Sequence, residues 1–384
     1  MSENLSNTEL VHLIKTVFHP LSTEDKNLAI LVDLPDAKNP DNEKWQMRRQ
    51  IAYDWWKMLE AAKHELVLDN VSVICFRNTG RQNADLPEKG VIVRYPPNEW
   101  DLEKLQAKEP FVDLQGLLSQ QNILLAPTEF SATAPLKFLS KKVGFRAATM
   151  GGFSLEMIPA LRVDWNEVAR RVHIVKEMLD EANSAEITFL VDDSRIYSLF
   201  LDLRFRKAHA STGLLPISGT AFNLPSGESY IVPYEGELEE PSLSEGIMPI
   251  QFGNEIVYYK IAGNRAVEIL SDGLQSIKEA KKLEEEPASG NIAELGIGVL
   301  RDFGIKPIGE TLLDEKLGLH IAFGRSDHFG GAVGAEQYND AANMEHFDWI
   351  YIPEMQPGIQ VKSIQLKSET QDSVILTNGE FTVF

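Results

Sequence analysis

Residues 28–33 read LAILVD and residues 72–76 read SVICF; between them WQMRRQIAYDWWKMLEAAKHELVLDN, at 45–70, sets apolar side chains three and four residues apart. Two short β-rich runs flanking a segment of helical period form a strand–helix–strand unit, the building block of a largely parallel sheet. The pattern continues outward. Gly90–Arg94, Asn122–Leu125 and Glu186–Val191 read as further strands, and Trp165–Asn183 as a second long helix. The aromatics of the first helix, Trp55 and Trp56, are read as core because large aromatic side chains are mostly buried. Cys75 is the single cysteine and lies in the apolar run Val71–Phe76, so an intramolecular disulfide framework is excluded and a reducing, cytoplasmic setting is expected.

From about residue 212 the texture changes to short β-rich runs punctuated by Gly213, Gly219, Gly227, Gly236, Gly246, Gly253 and Gly263. Helical periods become rare, the exception being Arg265–Glu286, whose charged EAKKLEEE end reads as a surface helix. A domain boundary is therefore placed near residue 215. The expectation is an N-terminal α/β domain with a mainly parallel sheet over residues 1–215, followed by a β-rich α+β domain over residues 216–384.

The chain has 384 residues, with 37 Lys plus Arg against 57 Asp plus Glu and a net charge of −20. A nucleic-acid surface needs clustered cations, so that class of partner is not expected. An apolar content of 43% and a charged content of 24% describe a chain able to fold. The first residues place Glu3 early and Leu10, Val11, Leu13, Ile14, Val17 and Phe18 at helical spacing, which is an amphipathic helix and not an export signal. No stretch approaches the roughly 18 apolar residues of a membrane helix, so neither export nor membrane insertion is expected.

Chemistry-bearing residues concentrate in the second half. Of the eight histidines, His320, His328 and His346 fall between residues 320 and 346. Alternation along EHFDWIY would turn His346 and Asp348 to one face of a strand, and an imidazole beside a carboxylate suits a divalent ion; a surface strand with polar residues facing water is the other reading. His320 opens the apolar run Ile321–Phe323, with Glu315 five residues before it, and is either a cleft residue or a satisfied core histidine. Glu294 lies inside the apolar segment Ile292–Ile297, where an unpaired carboxylate would cost several kcal/mol, so a cation must accompany it. Glu228 follows the turn of AFNLPSGESYIVP, which alone means only a turn. Four carboxylates and two histidines together suit a pair of divalent cations.

NLPSGE (223–228), NIAELGIG (291–298), DEKLGLHIAFG (314–324) and HFDWI (346–350), in that order, resemble the aminopeptidase T and aminopeptidase S family of dinuclear metallo-aminopeptidases. SATAPL (131–136), ATMGG (148–152) and the DLRFRKA run (202–208) extend the likeness upstream. The resemblance implies an α/β N-terminal domain, a C-terminal metal-binding domain and homodimers with an enclosed active site. By it Glu228, Glu294, Glu315, His320, His346 and Asp348 would be metal ligands, with Glu294 bridging two ions drawn from zinc, cobalt, manganese or magnesium. A water activated by both ions would release residues from peptides with a free N-terminus. The family's catalytic tyrosine position is Asp327 here, so its role would pass to His328 or Tyr338, or be lost in a metal-binding homologue without peptidase activity. A different class of enzyme is also open. His320, His346 and Asp348 alone form the two-histidine, one-carboxylate set of a mononuclear iron(II) oxygenase, which would not need Glu228 and Glu294.

Overall fold

The computed structural model describes residues 4–369 and 371–384; Glu3 lies outside them. The chain forms a mixed α/β fold that divides into two units, residues 1–169 with 211–226, and residues 170–210 with 227–384. Among the described residues no helix is long and apolar enough to cross a membrane.

The first unit is built on seven strands: β1 (Asn27–Leu34), β2 (Asn70–Arg77), β3 (Lys89–Val93), β4 (Val112–Asp113), β5 (Ile123–Thr128), β6 (Arg146–Gly151) and β10 (Thr220–Asn223). Their order is β10-β6-β5-β1-β2-β3-β4. The five strands from β10 to β2 are parallel, and β3 and β4 add an antiparallel edge. Leu28 to Val32 and Val73 to Phe76 are all buried, as expected of strands whose two faces are both covered. The helix Glu43–Ala62 starts where the Asn42 side chain accepts the Trp45 backbone N–H at 2.8 Å, and it buries Trp45, Ile51, Ala52, Trp55 and Leu59. Trp56 is only half-buried.

The second unit holds two sheets. One has eight strands, β7 (Ser184–Val191), β8 (Arg195–Asp202), β12 (Glu245–Phe252), β13 (Glu255–Ala262), β14 (Arg265–Ile269), β18 (Ile359–Lys367), β19 (Asp372–Thr377) and β20 (Glu380–Phe381), in the order β14-β13-β12-β8-β7-β18-β19-β20. The other has five, β9 (His209–Ser211), β11 (Glu228–Ile231), β15 (Ile292–Gly298), β16 (Leu319–Gly324) and β17 (His346–Ile350), in the order β17-β16-β15-β11-β9. A shared core joins them: Leu295, Ile297, Leu319, Ile321 and Phe323 of the small sheet pack with Ile187, Phe189, Leu199, Leu201, Ile250 and Val257 of the large one.

Three sequence expectations change. The run 186–191 is a strand, but it pairs antiparallel with β8 and β18 in the second unit and not with the parallel sheet of the first. The segment 265–286 is part strand: β14 takes its first five residues, and the helix begins at Leu274. The single cut expected near residue 215 is replaced by a chain that leaves the first unit after Ala169, re-enters it at Ser211 and leaves again after Ser226.

Candidate metal centre

The face of the small sheet opposite its core carries the chemistry. Partners across a ladder point to the same side, and the register Glu294↔Ala322↔Asp348 therefore sets both carboxylates on one face. Gly296↔His320 and Gly324↔His346 add the two imidazoles to it, and Glu228↔Gly298 adds the last carboxylate. A bulge precedes Glu294. Ile292 pairs with Phe323 and Glu294 with Ala322, so Ala293 is an extra residue that reverses the alternation. From Glu294 onward the alternation is regular, with Glu294, Gly296 and Gly298 on this face and Leu295 and Ile297 in the core.

The residues between the charged side chains are small, which leaves the face concave. Gly296 is required by close approach: a Cβ there would lie 1.9 Å from Nε2 of His320. Gly298 allows the turn Glu315–Leu317 to pass over the sheet, since a Cβ would meet the carbonyl carbon of Lys316 at 2.1 Å.

Glu294 sits at the centre. Its Oε1 is 3.3 Å from Nε2 of His320 and its Oε2 is 3.2 Å from Nε2 of His346. Nε2 of His346 is also 3.5 Å from Oδ1 of Asp348, and Nε2 of His320 is 3.4 Å from Oε2 of Glu228. Two donor groups result, Glu228–Glu294–His320 and Glu294–His346–Asp348, each able to surround a metal ion. Nδ1 of His346 lies 2.9 Å from the Arg325 carbonyl and Nδ1 of His320 lies 3.4 Å from the Gly318 carbonyl. A carbonyl accepts only from an N–H, so in the neutral rings Nδ1 keeps the hydrogen and Nε2 turns its lone pair inward, the pose of a metal-binding histidine.

Electrostatics favours a cation here. Burial disfavours the charged imidazolium, yet Asp348 and Glu294 outweigh it and push His346 up to about 11. Glu294 and Glu228 outweigh burial in the same way and push His320 up to about 9. Burial raises Glu294, yet hydrogen bonds and charge from His320 and His346 hold it well below the usual carboxylate range. Protons are held this tightly where a divalent cation would supply the positive charge instead. Oε2 of Glu228 is buried and accepts no hydrogen bond from the described residues, as an oxygen donor to an ion should be. The donor set fits a divalent metal.

Lys316 was missed by the sequence reasoning, although it stands inside the quoted DEKLGLHIAFG segment. It is 1% exposed, and its ammonium bonds both Glu228 and Glu315. Those two carboxylates overcome the burial that opposes its charge and raise its pKa. Burial, with Asp348 and Glu228 nearby, lifts Glu315 to about 8 against the opposing pull of Lys316. Five of the six expected ligands thus face one another, while Glu315 is joined to them through Lys316.

The aromatic neighbours were missed as well. Tyr230, on the same face of β11, has its ring centroid 4.8 Å from Phe329 and 5.0 Å from His209. Phe329 stands 5.4 Å, and His328 5.1 Å, from the His346 ring. His328 is pushed down to about 4, by burial first and then by His346 and Arg325, so it is neutral near pH 7. Tyr338 is buried and donates its hydroxyl to the Glu345 carbonyl at 3.2 Å. Asp327, at the expected tyrosine position, is tied to Arg325 by hydrogen bonds of 2.8 and 2.9 Å. Glu235 secures the loop that carries these residues, accepting from Ser326 Oγ and the Ala332 backbone N–H, each at 2.5 Å.

No protein-family model matches the chain, and no curated protein matches it. Among solved structures, 2,5-dihydroxypyridine dioxygenase from Pseudomonas putida is similar over 99% of this chain and 99% of its own, with a TM-score of 0.59 and 12% sequence identity. At that identity the likeness is one of fold. It nevertheless corrects the metallo-aminopeptidase resemblance: the four motif segments are not accompanied by a family match, and this solved structure of similar fold is a dioxygenase and not a peptidase. The hydrolase reading, with its peptide substrates, is withdrawn. The structure also departs from the six-ligand set that the resemblance assigned to a pair of ions, since Glu315 bonds Lys316 and joins neither donor group.

Proposed function

We propose that the chain is a metal-dependent dioxygenase of a small hydroxylated aromatic ring, with one iron(II) ion held by His320, His346 and Asp348. The observation that carries this reading is the inward-turned Nε2 of two buried imidazoles on the sheet face that also bears Asp348. Two histidines and one carboxylate with open positions are the donor set of non-haem iron(II) oxygenases, and ferrous iron there supplies one-electron chemistry toward dioxygen. The neighbour's substrate, a dihydroxylated pyridine, gives the substrate class.

The chain's own residues would do the rest. The Arg325 and Gly318 carbonyls fix the tautomer and orientation of the two imidazoles. Phe329, beside His346, and Tyr230, packed against Phe329, offer aromatic surfaces against which a planar ring can stack. His328, neutral near pH 7, is too weak a base to hold a proton there and offers a ring hydroxyl one hydrogen-bond partner. One ion suffices for this reading, and Glu315, bonded to Lys316, belongs to neither donor group.

The test is oxygen uptake after anaerobic loading with ferrous iron, using 2,5-dihydroxypyridine and a panel of dihydroxybenzenes. Wild-type protein should consume oxygen with at least one of these rings, and His346→Ala should not. Protein carrying iron that consumes no oxygen with any of them would refute the proposal.

A further inference from the structure

We infer that the Tyr230 hydroxyl is the hydrogen-bond donor that holds the second oxygen substituent of the substrate ring, so that rings with two oxygens are selected over rings with one. This deepens the preceding reading and rests on it, since a hydroxylated ring is taken to meet an ion held by His320, His346 and Asp348. The register supplies the position. Tyr230 pairs with Gly296 and Gly296 with His320, so the three form one row across the face that bears the donor cluster. Nε2 of His320 lies over Gly296, 1.9 Å from where a Cβ would stand. Tyr230 is the next side chain along that row, one strand spacing or about 5 Å further on. Its ring is held in place, stacked on His209 at 5.0 Å with an interplanar angle of 21° and packed on Phe329 at 4.8 Å. Nε2 of His209 lies 3.1 Å from the Phe329 carbonyl and ties the three rings together. The hydroxyl is not held. Those of Tyr338 and Tyr351 are spent on backbone carbonyls at 3.2 and 2.9 Å, whereas that of Tyr230 has no hydrogen-bond partner among the described residues. A tyrosine packed among other rings ordinarily finds one. Burial, then the charges of Glu294 and Glu228, raise its pKa, which keeps the hydrogen on the phenol beside the cluster. A ring oxygen placed at the ion leaves a second oxygen to this donor, and an analogue without that oxygen leaves the donor unpaired.

The experiment measures binding and needs no turnover. Full-length wild type and Tyr230→Phe, loaded with Zn(II) so that no redox step can follow, are titrated without oxygen by calorimetry. The ligands are 2,5-dihydroxypyridine and hydroquinone, with 3-hydroxypyridine and phenol as counterparts that each lack one oxygen. Tyr230→Phe keeps the ring that packs on His209 and Phe329 and removes only the hydroxyl, so its zinc content should equal that of wild type. Its Kd for the dihydroxylated rings should rise about 10-fold, the loss of one hydrogen bond, while its Kd for the singly hydroxylated rings should stay within about twofold. An unchanged Kd for the dihydroxylated rings, an equal rise for all four ligands, or wild type that binds none of them overturns the inference. The expected loss in Tyr230→Phe, together with iron-loaded wild type that takes up no oxygen, refutes only the proposed oxygenase activity. Oxygen uptake by wild type together with an unchanged Kd in Tyr230→Phe refutes only the role of the hydroxyl.

Discussion

Substituting Gly296 by Ala should remove metal binding while leaving most of the fold intact. A Cβ at this position would stand 1.9 Å from Nε2, 2.2 Å from Cε1 and 2.6 Å from Cδ2 of His320. Non-bonded carbon contacts settle near about 3.5 Å, so the ring and the methyl must separate by roughly 1.5 Å. The strand cannot easily supply that movement, because Gly296 is paired on one side with Tyr230 and on the other with His320 itself. The imidazole must therefore swing away. Metal–nitrogen distances tolerate only about 0.2 Å of error, so a ligand displaced this far is lost. Affinity should fall by more than the roughly 10- to 100-fold that follows removal of a partner one step further from the metal. Overpacking typically costs about 1–3 kcal/mol, and each kcal/mol lowers the melting temperature of a domain of this size by about 2–4 °C. The assay is an anaerobic metal titration with thermal unfolding of Gly296→Ala, His320→Ala and the double variant in metal-free buffer. Once the ring is gone the added methyl has room, so the double variant should be less destabilised than the sum of the singles. Additive losses, or a Gly296→Ala protein that binds metal as wild type does, would refute the geometry.

Three further outcomes are expected. His346→Ala and Asp348→Ala should each abolish retention of ferrous iron after desalting, read by elemental analysis, whereas Tyr338→Phe should retain it, because that hydroxyl is spent on the Glu345 carbonyl. In the first unit, burial raises Asp33 from its ordinary 3.8 to about 6, against the opposing backbone N–H groups of Glu129 and Phe130. A carboxyl whose folded pKa is raised favours folding below its unfolded value and loses that contribution as pH rises through about 6. Two pH units correspond to about 3 kcal/mol. The unfolding free energy of wild type relative to Asp33→Asn should therefore fall by about that amount between pH 4 and 6.5 in denaturant titrations; a flat difference would show that Asp33 ionises normally. Cys75 is fully buried and its thiol is pushed up by burial, so a thiol reagent should find nothing to modify in native protein and one thiol per chain after unfolding.

The parallel sheet could be read from the sequence because β1 and β2 are continuous apolar runs at either end of a helix long enough to cross between them. The partner of β7 could not. Its residues show that it is a strand, but pairing with β8 and β18 is decided by long-range packing in the second unit. The site divides in the same way. Alternation alone places His346 and Asp348 together, since β17 runs without interruption. Alternation sets Glu294 opposite Leu295 and Ile297 but fails at Ile292, which the extra residue Ala293 turns into the core as well, and a bulge leaves no signature in an apolar segment. Phe329 and Tyr230 were passed over because a lone aromatic in a loop or strand is ordinarily packing, and only the folded loop held by Glu235 brings Phe329 to His346.

The four segments that suggested a peptidase do mark the residues that gather on one sheet face, and the error lay in inferring chemistry from that gathering. A buried cluster of carboxylates specifies how much positive charge it must receive, not which cations deliver it. Two divalent ions sharing a water meet the requirement and lead to hydrolysis. One divalent ion and an ammonium meet it too, and then the two histidines and Asp348 are left to a single metal with open positions, the arrangement suited to oxygen chemistry. In this chain the ammonium is present, buried and in contact with two of the carboxylates. Lys316 lies directly beside Glu315 in sequence, so a counter-charge that needs no metal stood within the same short segment as the residues that suggested a pair of ions.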